Sequence, residues 1–476
     1  MYLIRWSVPH PSSLIPQNIV RDKSQPGALL RLASWVADHG ISGPGPFQAA
    51  RDLLLRQPPR VSLANIDSPV SEHQLTDAAR QVVLSLRSQV SVLPVQGPPG
   101  SGKTYTGARM VVELVKSGSR VGITAVSHKV ISNLLQEVCK VSKQTGVRLA
   151  AIQKANDKDS CHDPMVTQAD DNPDVRDALT GRAVQVVAGT AYLWARDEMS
   201  NSVDVLVVDE AGQMCLADVL AISQAATSII LLGDPQQLNQ PQRGVHPPGV
   251  DVSSLAHLLN GRATIDPSTG LFLKETWRLH PDICAFTSEL FYDSRLAARP
   301  ENHKQRLKTK GVLDGSGLRF VPVPHTGNQN ESPEEIEKIA ELIGELLGSG
   351  ASWTNKTGET VSLKPSDILV VAPYNAQVAA LAQRLPVGVR VGTVDKFQGQ
   401  EAPLVFYSMA TSTPEDAPRG MEFLYSLNRL NVATSRAQCV AVIVASPALF
   451  PAQCKTPRRM MLANALCRYF EMAEVT

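Results

Sequence analysis

Excess charge, paired cysteines and long apolar runs are all missing from this sequence of 476 residues. Charged residues make up 19% of it, below the roughly 25% of an average soluble domain, which argues against a disordered or tail-dominated chain. Lysine plus arginine (46) almost balances aspartate plus glutamate (45), leaving a formal net charge of +1. A wholly basic nucleic-acid binder is thereby excluded, though a local basic groove is not. Proline and glycine, 33 and 31 residues, are near average usage, which removes collagen-like and low-complexity classes. The longest charge-free apolar stretches, 219–233 and 439–454, are interrupted by Gln, Ser, Thr or Pro. Both fall short of the roughly 20 apolar residues that a membrane-spanning helix needs. The seven cysteines are odd in number and no two are spaced as CxxC, so neither a disulfide scaffold nor a zinc ribbon is expected. Cys161-His162 lacks further metal ligands at usual spacing. The opening MYLIRWSVPHP has no continuous apolar segment with a small-residue cleavage site. The expectation is a soluble protein of a reducing compartment, cytoplasmic (or nuclear in a eukaryote), with no membrane partner.

What is present is alternation. Residues 1–70 read as short helices, PGALLRLASWVADHG and FQAARDLLLRQPP, punctuated by Pro and Gly. Short β-branched runs then alternate with helical segments: VSVLPVQ, RVGITAV, AVQVVAG, DVLVVDE and SIILLGD. Continuous apolar runs of this length, separated by helices, signal a parallel sheet buried on both faces. Turn-rich sequence near 262–270 breaks the pattern. A second set follows: LRFVPV, DILVVAPY, RVGTVD, APLVFYSM and VAVIVAS. Within it, Ser332 is a natural helix cap and Pro333 suits the first helical position, while Ile336, Ile339, Ile343 and Leu346 share one face. The fold class is α/β, with two parallel-sheet domains in tandem, at 71–262 and 263–476, after a short N-terminal helical segment.

The chemistry starts at Gly97-Pro98-Pro99-Gly100-Ser101-Gly102-Lys103-Thr104, placed between an apolar strand and a helix. It fits G-x-x-x-x-G-K-[ST] in the structural context that makes the pattern credible. Backbone N–H groups of such a loop wrap phosphates, aided by the helix dipole. Lys103 would reach the outer phosphates of ATP, and the Thr104 hydroxyl would bind Mg²⁺. Asp209 and Glu210 close a strand of almost pure Val and Leu. Beside a phosphate loop they take separate roles, Asp209 on Mg²⁺ and Glu210 deprotonating the attacking water. Gln237, in LLGDPQQLNQ, is placed to sense the γ-phosphate.

Taken together, GPPGSGKT, VVDEAGQ, GDPQQL, ETWRLHPDICAFTSELFY, VAPYNAQV, GTVDKFQGQE and RLNVATSRA resemble the superfamily 1 helicases. The closest branch holds the nonsense-mediated-decay helicase and the replication helicase-nucleases. The motifs occur in the family's order over roughly residues 97–446. The resemblance implies two RecA-like domains with ATP between them. It casts Arg278 and Arg436 as arginine fingers that neutralise charge on the transferred phosphoryl. Gln398, Gly399 and Glu401 match positions near ribose and phosphates. Trp277 stands where relatives carry Tyr against the adenine, with a plain core role as the alternative. Gln74 matches the glutamine that reads the adenine edge, in competition with Gln81.

The same resemblance lays a nucleic-acid strand across both domains. Ser127, Thr190 and Thr393 would donate hydroxyls to phosphates, Lys129 would add charge, and His128 stands where relatives often have Asn. Such contacts hold the backbone without reading sequence. The basic run His303–Lys310 reads first as a solvated loop. Single-stranded DNA is favoured over RNA because the GDPQQL and DEAGQ variants look closer to the replication and repair relatives. Polarity in this branch is 5′ to 3′. Some relatives carry a RecB-like nuclease, so a nuclease domain or subunit is an expected partner, and the chain is expected to be monomeric. The main rival is an ATPase switch or remodeller acting on a protein.

Overall fold

The computed structural model describes residues 23–61, 63, 77–87, 89–238, 240, 249–397 and 399–476. Two parallel sheets form its frame. The first contains β1 (Val92–Gln96), β2 (Val121–Thr124), β3 (Ala151–Lys154), β4 (Val166–Ala169), β5 (Val186–Ala188), β6 (Val203–Val208), β7 (Ala226–Gly233) and β8 (Leu271–Phe272). Its order is β4-β3-β5-β2-β6-β7-β1-β8, with every pairing parallel. Two short strands follow, β9 (Glu275–Thr276) and β10 (Ala297–Ala298), paired with each other.

The second sheet begins beyond β11 (Arg306–Lys308) with β12 (Gly317–Pro322). β13 (Ser352–Thr354) and β14 (Thr360–Ser362) join β11 in a small antiparallel sheet, which no sequence signal announced. The remaining strands are β15 (Ile368–Ala372), β16 (Arg390–Thr393), β17 (Ala402–Ser408), β18 (Ala437–Ala445) and β19 (Glu474–Val475). They complete a six-stranded parallel sheet of order β16-β15-β17-β18-β12-β19. Central strands such as β1, β6, β15 and β17 are buried almost throughout, as the near-continuous apolar runs required. Among the described residues no helix is long and apolar enough to cross a membrane.

The helices obey local chemistry. Ser332 Oγ accepts from the Glu335 N–H at 3.2 Å and starts the helix Pro333–Gly348, whose Ile336, Ile339, Ile343 and Leu346 are buried. The helices Ser24–His39 and Gln48–Leu54 form where the sequence placed them and pack Ala28, Leu32, Ala50 and Leu53 against the first sheet. Arg51, 1% exposed, organises the turn between them by donating to the carbonyls of Ile41 (2.9 Å), Gly45 (3.1 Å) and Pro46 (3.2 Å).

One buried indole fixes the carboxyl ends of β2 and β5. Trp194 donates from Nε1 to the carbonyls of Ile123 (3.2 Å) and Gly189 (3.1 Å) and is fully buried. A Cβ on Gly122 would lie 2.7 Å from this ring, so only glycine leaves it room. Trp194→Ala is expected to lower unfolding stability by about 3–5 kcal/mol, read by denaturant titration. A loss below about 1 kcal/mol would show that this edge is held by other contacts.

Candidate nucleotide site and nucleic-acid face

Ligands of open parallel sheets bind outside the carboxyl ends of the strands. Here β6, β7 and β1 are neighbours, and their carboxyl ends lead into Asp209-Glu210, Asp234–Gln237 and the loop 97–102 respectively. The loop turns through left-handed glycines at Gly100 (φ +71°) and Gly102 (φ +80°), then enters the helix Lys103–Lys116. Lys103 Nζ donates to the Gly97 carbonyl at 2.7 Å. Ser101 Oγ is buried with no hydrogen-bond partner among the described residues.

The carboxylates sit on a tightly packed backbone. A Cβ on Gly212 would lie 2.5 Å from the Asp234 carbonyl oxygen, and one on Gly233 would lie 2.4 Å from the Gly212 nitrogen. Glu210 itself is left-handed, at φ +52°, a conformation costing a non-glycine residue of order 1–3 kcal/mol. Asp209 is 4% exposed, and its Oδ1 accepts from the Glu210 N–H at 2.9 Å. Burial, reinforced by the Glu210 charge, pushes its carboxyl above the ordinary range; Lys103 pulls the other way. A carboxylate so placed is suited to a cation.

The second sheet meets this edge with its amino ends. Glu401 immediately precedes β17 and Arg436 immediately precedes β18. The segment after β9 closes against the phosphate loop: Trp277 donates from its backbone N–H to the Gly100 carbonyl (2.9 Å), and Thr276 Oγ1 donates to the Pro99 carbonyl (2.9 Å). A Cβ on Gly100 would come within 2.5 Å of Arg278 Cβ, so glycine is required for this approach. Arg278 donates from Nε to Glu401 at 2.6 Å and from a terminal nitrogen to the Ser435 carbonyl at 3.2 Å. Burial opposes ionisation of Glu401, but the Arg278 guanidinium outweighs it and holds the carboxyl below its ordinary range.

Arg436 is the most telling group. It is 3% exposed and gives one bond, to the Gln400 carbonyl at 3.3 Å, while Nε and one terminal nitrogen have no partner among the described residues. Burial, then repulsion from Arg278, lowers its pKa to about 9, partly offset by Glu210 and Glu401. Two clustered guanidiniums, unpartnered buried donors and a glycine phosphate loop form a cradle for a polyanion.

Other expected residues are placed less decisively. Trp277 is half-buried, with the Arg299 guanidinium 4.0 Å over its ring. Gly399 is left-handed (φ +78°), whereas Gln398 and Gln74 lie outside the described residues. Gln237 is buried and donates its amide to Asp234 Oδ2 at 2.8 Å. Thr104 is the second residue of the helix Lys103–Lys116. Of the residues expected to hold nucleic acid, Ser127 and Thr190 follow adjacent strands β2 and β5, and Thr393 ends β16. Lys129 is exposed. Ser127 Oγ also caps the helix His128–Thr145 by accepting from Val130 N–H at 3.4 Å. His128 is half-buried, and burial lowers its pKa. Sequence reasoning missed Asp234, Tyr292, Asn428 and Asn431, which the fold brings together here; Asp234, Tyr292 and Asn431 lie inside the motif segments, but nothing local singled them out.

These features define a two-part P-loop protein with arginines set against the phosphate loop from its second half. The AAA-domain family models match residues 72–247 and 251–448. Relatives include the DNA replication ATP-dependent helicase/nuclease JHS1 of Arabidopsis thaliana, 25% identical over 83% of this chain and 30% of that protein. The regulator of nonsense transcripts 1 homolog of Drosophila melanogaster is 26% identical over 80% of this chain and 34% of its own length. The DNA polymerase alpha-associated DNA helicase A of Schizosaccharomyces pombe is 24% identical over 72% of this chain and 59% of its own. The chain belongs to the superfamily 1 helicases, in the nonsense-mediated-decay and replication branch. It spans only about a third to three fifths of these relatives' lengths.

The buried charge of Arg436 sets a stability test. At pH 7 it is protonated in folded and unfolded chains alike, so its burial cost is carried in full. Because the folded pKa lies below the unfolded one, that cost is relieved only as pH rises through about 9. Arg436→Leu is therefore expected to raise the melting temperature at pH 7 while weakening the stabilisation given by a non-hydrolysable ATP analogue with Mg²⁺. A lower melting temperature with nucleotide stabilisation intact would assign Arg436 to structure alone.

Proposed function

We propose that the chain hydrolyses ATP between two RecA-like units and uses the cycle to move along a single strand, DNA in preference to RNA, from 5′ to 3′. The units correspond to 71–262 and 263–476, after an N-terminal segment 1–70. The observation that carries the reading is Arg436, a buried guanidinium with unpartnered donors beside the Glu210 carboxylate. An anionic phosphoryl group is what that geometry lacks, and the loop 97–104 is what supplies it.

In this mechanism the N–H groups of the loop and Lys103 hold the phosphates, while Thr104 and Asp209 would hold Mg²⁺, which would supply charge neutralisation during phosphoryl transfer. Glu210 orients a water and takes its proton. Arg278 and Arg436 neutralise charge growing on the transferred group. To reach it, Arg278 must leave Glu401, which makes their ion pair a contact that changes during the cycle. Gln237 registers the γ-phosphate. Ser127, Thr190 and Thr393, with Lys129, grip the strand by its phosphates. Alternate closing and opening of the two units then shifts grip along it. Similarity to DNA replication helicase/nucleases supports nucleic acid as substrate and a nuclease as companion. We take the working form to be a monomer.

Long single-stranded DNA is expected to stimulate ATP hydrolysis by the purified chain more than RNA does, with the stimulation fading as salt rises. Glu210→Gln is expected to lower the stimulated rate by about 10²–10⁴-fold. Hydrolysis indifferent to either polymer would contradict the translocase and favour a protein-directed switch.

A further inference from the structure

The helix Pro281–Phe291 starts just after Arg278, and the helix Leu427–Thr434 ends just before Arg436. Their remote connections meet at one buried carboxylate. Asp234, 1% exposed, accepts at Oδ2 from the Tyr292 hydroxyl (2.7 Å) and from the Gln237 amide (2.8 Å). Tyr292 lies at the end of the first helix and is fully buried. Its hydroxyl oxygen accepts in turn from Asn431 Nδ2 at 2.9 Å, on the second helix. Asn431 Nδ2 also donates to the Gln236 carbonyl (2.9 Å), and Asn428 Nδ2 donates to the Pro235 carbonyl (3.0 Å). The turn Asp234–Gln237 is thus bonded to the end of the helix that follows Arg278 and to the helix that precedes Arg436.

We propose that Tyr292 is a positioning residue that makes the two arginines and Gln237 move as one, through the chain Gln237–Asp234–Tyr292–Asn431. The proposal rests on the ATPase reading above and deepens it. Three features favour this role over simple packing. The hydroxyl both donates and accepts, so each bond holds the other in place. The acceptor is a carboxylate shielded from water, where a charge-assisted bond is strong and its loss is felt. The third partner is the Gln237 amide itself, so displacement of that side chain by a γ-phosphate changes what Asp234 offers Tyr292. Burial, and then the Asp234 charge, hold the phenol well above its ordinary range, so it stays a donor at working pH.

The test is Tyr292→Phe beside Tyr469→Phe. Tyr469 is equally buried, but its hydroxyl donates to the carbonyls of Arg319 (3.1 Å) and Ala441 (2.8 Å), away from the phosphate loop. Steady-state ATP hydrolysis is measured with saturating single-stranded DNA. Tyr292→Phe is expected to lower kcat about tenfold, within the 5–150-fold span of typical coupling, with KM for ATP changed less than about twofold. Tyr469→Phe is expected to leave both unchanged. In a double-mutant cycle with Asn431→Ala, the two losses should be non-additive. Equal kcat in Tyr292→Phe and Tyr469→Phe, with an active wild type, would overturn the proposal alone. No hydrolysis by the wild type would overturn the ATPase reading and the proposal with it.

Discussion

The structure turns on a buried charge with no ion-pair partner among the described residues. Arg436 is brought to the edge of the first sheet by the strand that follows it and has too few acceptors there among those residues. Arg278 beside it makes the imbalance worse. A protein tolerates such an arrangement only where something else completes it. The loop 97–104, the Asp209–Glu210 pair and the amino ends of β17 and β18 are all arranged around the same deficit. Folding therefore builds a site that is electrostatically incomplete, and an anion bound there would strengthen the contact between the two sheets.

Backbone proximity makes this possible. Gly100 lets the segment 276–278 close onto the phosphate loop, and Gly212 and Gly233 let the turn bearing Glu210 lie against the end of β7. These glycines remove side chains where two chain segments must nearly touch. Asp234 then accepts from Tyr292, at the end of the helix that follows Arg278, and Tyr292 in turn accepts from Asn431, within the helix that precedes Arg436.

Much of this was legible in the sequence. The ten β-branched runs all form strands, because each is a continuous apolar segment between helices. Ser332 and Pro333 announced their helix by local chemistry alone. Short strands escaped: β4 buries only the first and last of its four residues, and β8 has only two residues. The antiparallel trio β11, β13 and β14 carries mostly polar side chains, and β11 joins the local β13–β14 pair from a distant segment. Lys103, Asp209 and Glu210 could be read from local motifs, whereas Arg278 and Arg436 needed a family pattern, since a lone arginine carries no signal. Tyr292 and Asn431 stayed hidden because their meaning lies in a contact across 139 residues of chain.

The central claim is that residues of both halves complete one nucleotide site. Hydrogen exchange with and without a non-hydrolysable ATP analogue and Mg²⁺ addresses it directly, since protection is read peptide by peptide. A shared site predicts slower exchange in the loop 97–104 and, together with it, in the segment around Arg436. Protection confined to the loop, with 434–438 unchanged at saturation, would contradict it.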